Sequence, residues 1–92
     1  WVTAHPIEGT IVVNVGDLLM RWTNNSFKST QHRVVNRKRE ERYSMVVAWD
    51  PDYDTIVDPS IVCQNGEKVL YPPVRCGDYV LSRFDSSFSY RK

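Results

Sequence analysis

Cysteine and histidine are scarce in this chain of 92 residues, which contains two of each. Cys63 and Cys76 lack C-x-x-C spacing and have no histidine grouped around them, so neither a zinc site nor a disulfide framework is indicated. We expect both cysteines to be reduced and structural. No apolar run approaches the roughly 20 residues that cross a bilayer, and a net charge of +1 provides no strong field for nucleic acid or an anionic membrane. We expect a cytoplasmic protein with neither of these partners.

Sequence motifs for phosphate binding, for serine hydrolases and for calcium binding are also absent. The four glycines form neither a phosphate-binding loop nor a G-x-S-x-G nucleophile elbow. The acidic residues 50–54 begin like an EF-hand loop, but its sixth position is Thr55 and its twelfth is Ile61, where calcium loops require glycine and glutamate. We interpret this stretch as an ordinary loop leaving a strand.

The composition that remains is that of one small globular domain, with 41% hydrophobic and 25% charged residues. Short β-branched runs between turn residues predict a mainly β fold, and pattern alone leaves a sandwich and a barrel open. Residues 10–15 predict a strand buried on both faces. Asp17 is the expected N-cap of one short helix, which Asn24 and Asn25 would end.

The second half of the chain predicts shorter elements. Residues 55–57 predict a short strand, and residues 61–63 and 69–71 predict a small hairpin around the Asn65-Gly66 turn. Residues 79–84 fit either a helix or a strand, and residues 85–92 are expected to fray. Phe84, Phe88 and Tyr90 either close over a substrate or dock on their own domain.

Residues 27–36 and 42–49 predict a larger hairpin, with a solvated turn at 37–41. Because side chains alternate across a strand, Arg42 and Ser44 share a face with small apolar residues, and the bulky Met45 and Trp49 lie on the other face. A small, polar face of this kind lines a cavity. On the neighbouring strand, His32 could point into the same cavity.

The combination of His32-Arg33-Val34 with Arg42-x-Ser44 resembles the second half of the active-site signature of the iron(II)- and 2-oxoglutarate-dependent oxygenases, in the isopenicillin N synthase-like group. The agreement continues in order and spacing on both sides. It includes residues 14–19, 22–24, 27–29, 50–55 and 77–79, and therefore spans nearly the whole chain.

This resemblance implies a double-stranded β-helix, or jelly roll, with iron(II) as cofactor and 2-oxoglutarate as cosubstrate in the oxidation of a small organic molecule. His32 would be the second histidine of a two-histidine, one-carboxylate iron site. Arg42 would hold the distal carboxylate of 2-oxoglutarate through two parallel hydrogen bonds, and Ser44 would donate a third. Family members are several times longer, so residues 1–92 are expected to form the C-terminal portion of a catalytic domain. The missing H-x-D ligands would then lie upstream.

Other interpretations stay open at this stage. A lone strand histidine is often structural, and Arg42 could simply pair with Glu40 or Glu41 beside it, an exposed contact worth about 0 to 1 kcal/mol. Some relatives keep the arginine-serine pair without using 2-oxoglutarate. The alternative function is a non-catalytic jelly-roll piece that acts as a structural or interaction module.

Overall fold

The computed structural model describes residues 1–88, which contain five short elements. These are helix α1 (Asp17–Trp22), strand β1 (Ile56–Val57), a 3-10 helix (Pro59–Val62), strand β2 (Val74–Arg75) and helix α2 (Cys76–Ser87). Residues 23–55 contain turns but no helix or strand. Within residues 1–88, no helix has both the length and the apolar character that a membrane span requires.

Helix α1 forms where the sequence predicts it, but it begins differently. Gly16 is the N-cap, and no side chain caps the helix, so the prediction that Asp17 is the N-cap is wrong. Asp17 lies in the first turn instead, where a negative charge favours the helix dipole, and its carboxylate accepts a hydrogen bond from Arg83 at 3.1 Å. The predicted end is confirmed: Asn24 and Asn25 have φ values of 52° and 67°. Asparagine tolerates this left-handed backbone better than most residues.

A two-stranded antiparallel sheet forms the small core. Ile56 lies opposite Arg75 and Val57 opposite Val74, and Val57 is fully buried. The backbone pairing continues past the strand ends, because Cys76 N–H donates to the Thr55 carbonyl at 2.8 Å. The short strand predicted at residues 55–57 is confirmed as β1.

The predicted hairpin of residues 61–63 and 69–71 is wrong. Asp58 accepts a hydrogen bond from the Ser60 N–H at 3.0 Å, and Pro59 follows this cap, so residues 59–62 form a 3-10 turn instead of a strand. The turn at Asn65-Gly66 is present, and Gly66 has a φ of 83° that glycine adopts easily.

Residues 79–84, for which the sequence predicts either a helix or a strand, form part of helix α2. It continues to Ser87, so fraying from residue 85 onward is wrong for its first three residues. The rings of Phe84 and Phe88 contact each other, with centroids 6.1 Å apart. Tyr90 lies outside the described residues.

The predicted mainly β architecture with one helix is not found in residues 1–88, which contain two α-helices and no strand at 10–15, 27–36 or 42–49. Ile11 is 86% exposed and Trp49 is 92% exposed. The chain exposes 8703 Å², where a globular protein of this mass exposes about 5500 Å². Residues 10–15, 27–36 and 42–49 lack a covering layer within residues 1–88, and an isolated hairpin is only marginally stable in water. This explains the missing strands, and the jelly roll stays an expectation of the family resemblance.

Candidate functional site

His32 has an exposed side chain whose orientation is set by a local hydrogen bond. Its Nδ1 lies 2.9 Å from the backbone carbonyl oxygen of Thr30. A carbonyl oxygen only accepts, so a neutral ring in this arrangement carries its proton on Nδ1 and keeps the Nε2 lone pair free. Metal-bound histidines characteristically donate their other ring N–H to a carbonyl or carboxylate in this way. His32 is therefore suited to bind a metal through Nε2.

The segment that leads to His32 is fastened to the end of α1. The Thr23 hydroxyl oxygen accepts a hydrogen bond from the Phe27 N–H at 3.1 Å, and the Met20 sulfur accepts one from the Ser29 N–H at 3.3 Å. The same Thr23 hydroxyl donates to the Leu19 carbonyl at 2.8 Å. Met20 of helix α1 and its C-cap residue Thr23 therefore hold two alternate backbone amides just before His32.

A turn at residues 36–40 separates His32 from the arginine-serine pair. Asn36 closes it by donating to the Glu40 carbonyl at 2.7 Å, and the Lys38 N–H donates back to the Asn36 side chain at 3.3 Å. This agrees with the solvated turn predicted at 37–41, because these residues are exposed and form neither a helix nor a strand. Glu41 accepts a hydrogen bond from the Tyr43 hydroxyl at 2.9 Å.

Arg42 and Ser44 are exposed in residues that form no strand. No ion pair between Arg42 and a carboxylate is found in the described part of the chain, which gives no support to the pairing of Arg42 with Glu40 or Glu41. Neither residue contacts His32 through a hydrogen bond among residues 1–88. The arrangement of these three residues around one cavity stays a prediction.

The described residues provide one part of an iron site and not the whole of it. No three histidine, cysteine, aspartate or glutamate side chains in residues 1–88 lie close enough together to hold a metal ion. The contact of His32 Nδ1 with the Thr30 carbonyl leaves Nε2 able to bind a metal, but the other two ligands of a facial triad are not found beside it within residues 1–88.

Two shallow cavities lie against α2, away from the predicted site residues. One, of about 250 Å³, is lined by residues that include Tyr53, Cys76 and Gly77, and a neighbouring cavity of about 260 Å³ includes Asp17 and Arg83 in its lining. His32, Arg42 and Ser44 line neither of them.

The start of α2 is a contact cluster that the sequence did not indicate. The Tyr53 hydroxyl donates to the Asp78 carboxylate at 3.2 Å, and this bond raises the pKa of Tyr53. Arg75 lies 3.7 Å from Asp54 and 3.8 Å from Asp78. The Gly77 N–H donates to the Tyr53 carbonyl at 2.9 Å. The family resemblance includes residues 50–55 and 77–79, but nothing in the sequence indicates that these two segments contact each other.

Both cysteines are free, as predicted. The Cys63 thiol donates to the Pro59 carbonyl at 3.2 Å, and the buried Cys76 thiol lies 3.7 Å from the Pro51 carbonyl. Burial raises the pKa of each thiol, and this keeps both protonated at neutral pH. Such cysteines are structural and poorly reactive.

Asn24 is the buried polar side chain that joins the two halves of the chain, with only 7% of its surface exposed. Its amide nitrogen donates to the Lys68 carbonyl at 2.9 Å, and its oxygen accepts from the Leu70 N–H at 2.8 Å. Next to it, the Tyr71 hydroxyl donates to Asn25 at 2.7 Å. Residues 24–26 have the N-x-S pattern of a glycosylation sequon, but the amide nitrogen of Asn24 is enclosed and hydrogen-bonded in this fold.

The chain belongs to the 2OG-Fe(II) oxygenase superfamily, whose family profile matches residues 1–51. This agrees with the resemblance carried by His32, Arg42 and Ser44, all of which lie inside the matched range. No solved structure shows significant similarity to the chain.

Curated relatives extend the similarity beyond residue 51. The chain is 38% identical over 90 residues to the 2-oxoglutarate-Fe(II) type oxidoreductase hxnY of Emericella nidulans, an alignment that covers 96% of this chain and 26% of that protein. It is 38% identical over 79 residues to gibberellin 2-beta-dioxygenase 5 of Oryza sativa subsp. japonica, covering 86% of this chain and 23% of the relative. It is 40% identical over 80 residues to the bi-functional coumaroyl CoA and feruloyl CoA ortho-hydroxylase Diox2 of Ruta graveolens, covering 86% and 22%. The chain thus spans about a quarter of the length of these relatives.

Proposed function

We propose that residues 1–92 act as the C-terminal part of the catalytic domain of an iron(II)- and 2-oxoglutarate-dependent dioxygenase. The observation that carries the proposal is the hydrogen bond between His32 Nδ1 and the Thr30 carbonyl, which leaves Nε2 available to a metal. The family to which the chain belongs supports it. In the full-length protein, the exposed segments at 10–15 and 27–49 would be strands of a jelly roll that other strands cover.

His32 would bind iron(II) through Nε2, and the other two protein ligands would come from residues outside this chain. Iron(II) in such a site supplies the chemistry that couples oxygen activation to the decarboxylation of 2-oxoglutarate. The role of His32 is to hold the metal with a ring that cannot rotate freely, because its other nitrogen is already bonded.

Arg42 and Ser44 would bind the distal carboxylate of 2-oxoglutarate. Because they are two residues apart, their side chains would share one face of the strand that the sequence predicts there. The guanidinium donates two parallel hydrogen bonds to a carboxylate, and the serine hydroxyl adds a third. Both side chains are exposed in this chain, so they are free to reach a ligand.

The substrate we propose is a small organic molecule. The relatives are named for oxidation of gibberellin and for ortho-hydroxylation of coumaroyl CoA and feruloyl CoA. These names share a reaction class, which is the oxidation of an organic compound at carbon, and hydroxylation is the form we propose here.

Spectroscopy of the full-length protein tests the role of His32. Anaerobic addition of iron(II) and 2-oxoglutarate should produce a visible charge-transfer band. We expect His32→Ala to abolish the band, because a metal ligand is lost. His5→Ala is the matched control, since His5 is exposed and lies in an unpaired stretch, and it should leave the band intact. A band of full intensity in His32→Ala would overturn the assignment.

The cosubstrate assignment has its own test. Arg42→Lys keeps the positive charge but loses the two-pronged donor geometry, so the KM for 2-oxoglutarate should rise about tenfold or more, as expected for a loss of about 1.5–3 kcal/mol from a charged hydrogen bond. Arg37→Lys is the control and should have no effect, because Arg37 lies in the solvated turn. An unchanged KM for 2-oxoglutarate in Arg42→Lys would show that Arg42 does not bind 2-oxoglutarate.

A further inference from the structure

The contacts between α1 and residues 27–29 are unusual because side chains, not a neighbouring strand, satisfy the backbone. The Phe27 N–H bonds to the Thr23 hydroxyl oxygen and the Ser29 N–H to the Met20 sulfur. We name these two hydrogen bonds the α1 tether. They hold alternate amides, as a partner strand would, although no strand is present here.

The α1 tether ends one residue before the carbonyl that orients the imidazole of His32. Ser29 is the last held residue, and the Thr30 carbonyl accepts the His32 Nδ1–H at 2.9 Å. Only a few backbone dihedrals separate the fixed Ser29 amide from the Thr30 carbonyl, so fixing the amide narrows the directions available to that carbonyl. The orientation of the ring therefore depends on the end of α1.

We propose that Thr23 is a positioning residue for His32, acting with Met20 through the α1 tether. The inference rests on the proposed function, in which His32 binds iron(II). Thr23 touches neither the metal nor the substrate. It restrains the backbone that directs Nε2, and a metal ligand whose supporting hydrogen bonds are lost characteristically binds its metal 10- to 100-fold more weakly, as an order of magnitude.

The hydroxyl of Thr23 is the group on which this role depends. It donates to the Leu19 carbonyl at 2.8 Å while it accepts from Phe27, so it links the last turn of α1 to the segment beyond it. Thr23→Val removes the hydroxyl and keeps the shape of the side chain. Thr23→Ser keeps the hydroxyl and removes only a methyl group.

The experiment measures the iron(II) dissociation constant of the full-length protein by anaerobic equilibrium dialysis, together with its melting temperature and the KM for 2-oxoglutarate. We expect Thr23→Val to raise the dissociation constant about tenfold, and Thr23→Ser to restore it to near the wild-type value. The KM for 2-oxoglutarate should not change, because Arg42 lies beyond the turn at 36–40. Hydrogen exchange of the Phe27 amide in the metal-free protein should accelerate in Thr23→Val only.

Two further variants complete the design. Thr10→Val is the matched control, because the Thr10 hydroxyl also donates to a carbonyl, that of Ile7 at 2.6 Å, but in an exposed turn remote in sequence from His32. It should leave iron(II) binding unchanged. Met20→Leu removes the sulfur acceptor at nearly constant volume, and it should weaken iron(II) binding even if Thr23→Val fails to fold.

The outcomes separate this inference from the proposed function. If His32→Ala binds iron(II) as tightly as the wild type, the proposed function fails. If His32→Ala loses iron(II) while Thr23→Val and Met20→Leu both bind it normally, the proposed function stands and the positioning role is refuted. A melting temperature lowered equally in Thr23→Val and Thr23→Ser, with no difference in iron(II) affinity, would also refute it.

Discussion

Replacing Gly77 by alanine should destabilise the protein, although alanine is the better helix former. Gly77 is the second residue of α2, and a Cβ atom there would overlap the Cδ2, Cε2 and Cγ atoms of the Tyr53 ring. The overlap includes Cγ, which is close to the backbone, so the whole ring would have to move. Its movement would disturb two bonds, from the Gly77 N–H to the Tyr53 carbonyl and from the Tyr53 hydroxyl to Asp78.

The size of the effect follows from two opposing terms. Overpacking a filled site costs about 1–3 kcal/mol, whereas a glycine-to-alanine change inside a helix gains about 0.5–1 kcal/mol. We therefore expect Gly77→Ala to lower the free energy of unfolding by about 1–2 kcal/mol. Urea denaturation of the full-length protein, followed by tryptophan fluorescence, measures this difference.

A double-mutant cycle shows whether the Tyr53 ring is the cause. In a Tyr53→Ala background the obstruction is absent, so adding Gly77→Ala should be neutral or stabilise the protein by about 0.5 kcal/mol through helix propensity. The same loss in both backgrounds would refute the packing argument, and a Gly77→Ala variant more stable than the wild type would refute the close contact itself.

Three other substitutions follow from the same structure. Asn24→Ala should cost about 2–3 kcal/mol of unfolding free energy, because it removes the hydrogen bonds to the Lys68 carbonyl and the Leu70 N–H and puts alanine at a φ of 52°; a urea-measured loss below about 0.5 kcal/mol would contradict this. Asp17→Asn breaks the exposed pair with Arg83 and should cost less than about 1 kcal/mol, so a larger loss in the same assay would contradict it. Cys76 is buried whereas Cys63 is only half-buried, so the Cys76 thiol should alkylate more slowly than the Cys63 thiol at pH 8. Burial raises the pKa of Cys76, so its alkylation should also become faster as the pH rises above neutrality. Rapid labelling of Cys76 at pH 7, read by mass spectrometry of Cys63→Ala, would show that this thiol is not buried.

Features that depend on a few neighbouring residues could be predicted from the sequence. Helix α1 ends at Trp22, just before Asn24 and Asn25, and the turn at Gly66 forms at positive φ, because each of these features depends on the local backbone preferences of asparagine and glycine. The strand at residues 56–57 was also found, since a β-branched pair between turn residues favours an extended chain.

Features that depend on distant partners could not be predicted in the same way. Residues 10–15 and 42–49 have strand patterns, but a strand needs a hydrogen-bonding partner and a covering layer, and residues 1–88 provide neither for these segments. The cluster of Tyr53 with Gly77 joins residues far apart in sequence, and no local pattern encodes it.

The candidate site shows the same division. Family resemblance identified His32, Arg42 and Ser44 by residue type and spacing. The sequence could not predict that the Thr30 carbonyl orients His32, because no motif specifies where a backbone carbonyl points. For the same reason it could not predict the α1 tether that precedes this carbonyl.

We propose that the His32 imidazole and the Arg42 guanidinium converge on one interior site in the full-length protein. Anomalous diffraction at the iron edge, from crystals grown without oxygen in the presence of iron(II) and 2-oxoglutarate, tests it most directly. We predict an iron peak bonded to Nε2 of His32, with the distal carboxylate of 2-oxoglutarate held by Arg42 and Ser44. An iron peak remote from His32, or a guanidinium of Arg42 directed to the opposite side of the molecule, would contradict the account.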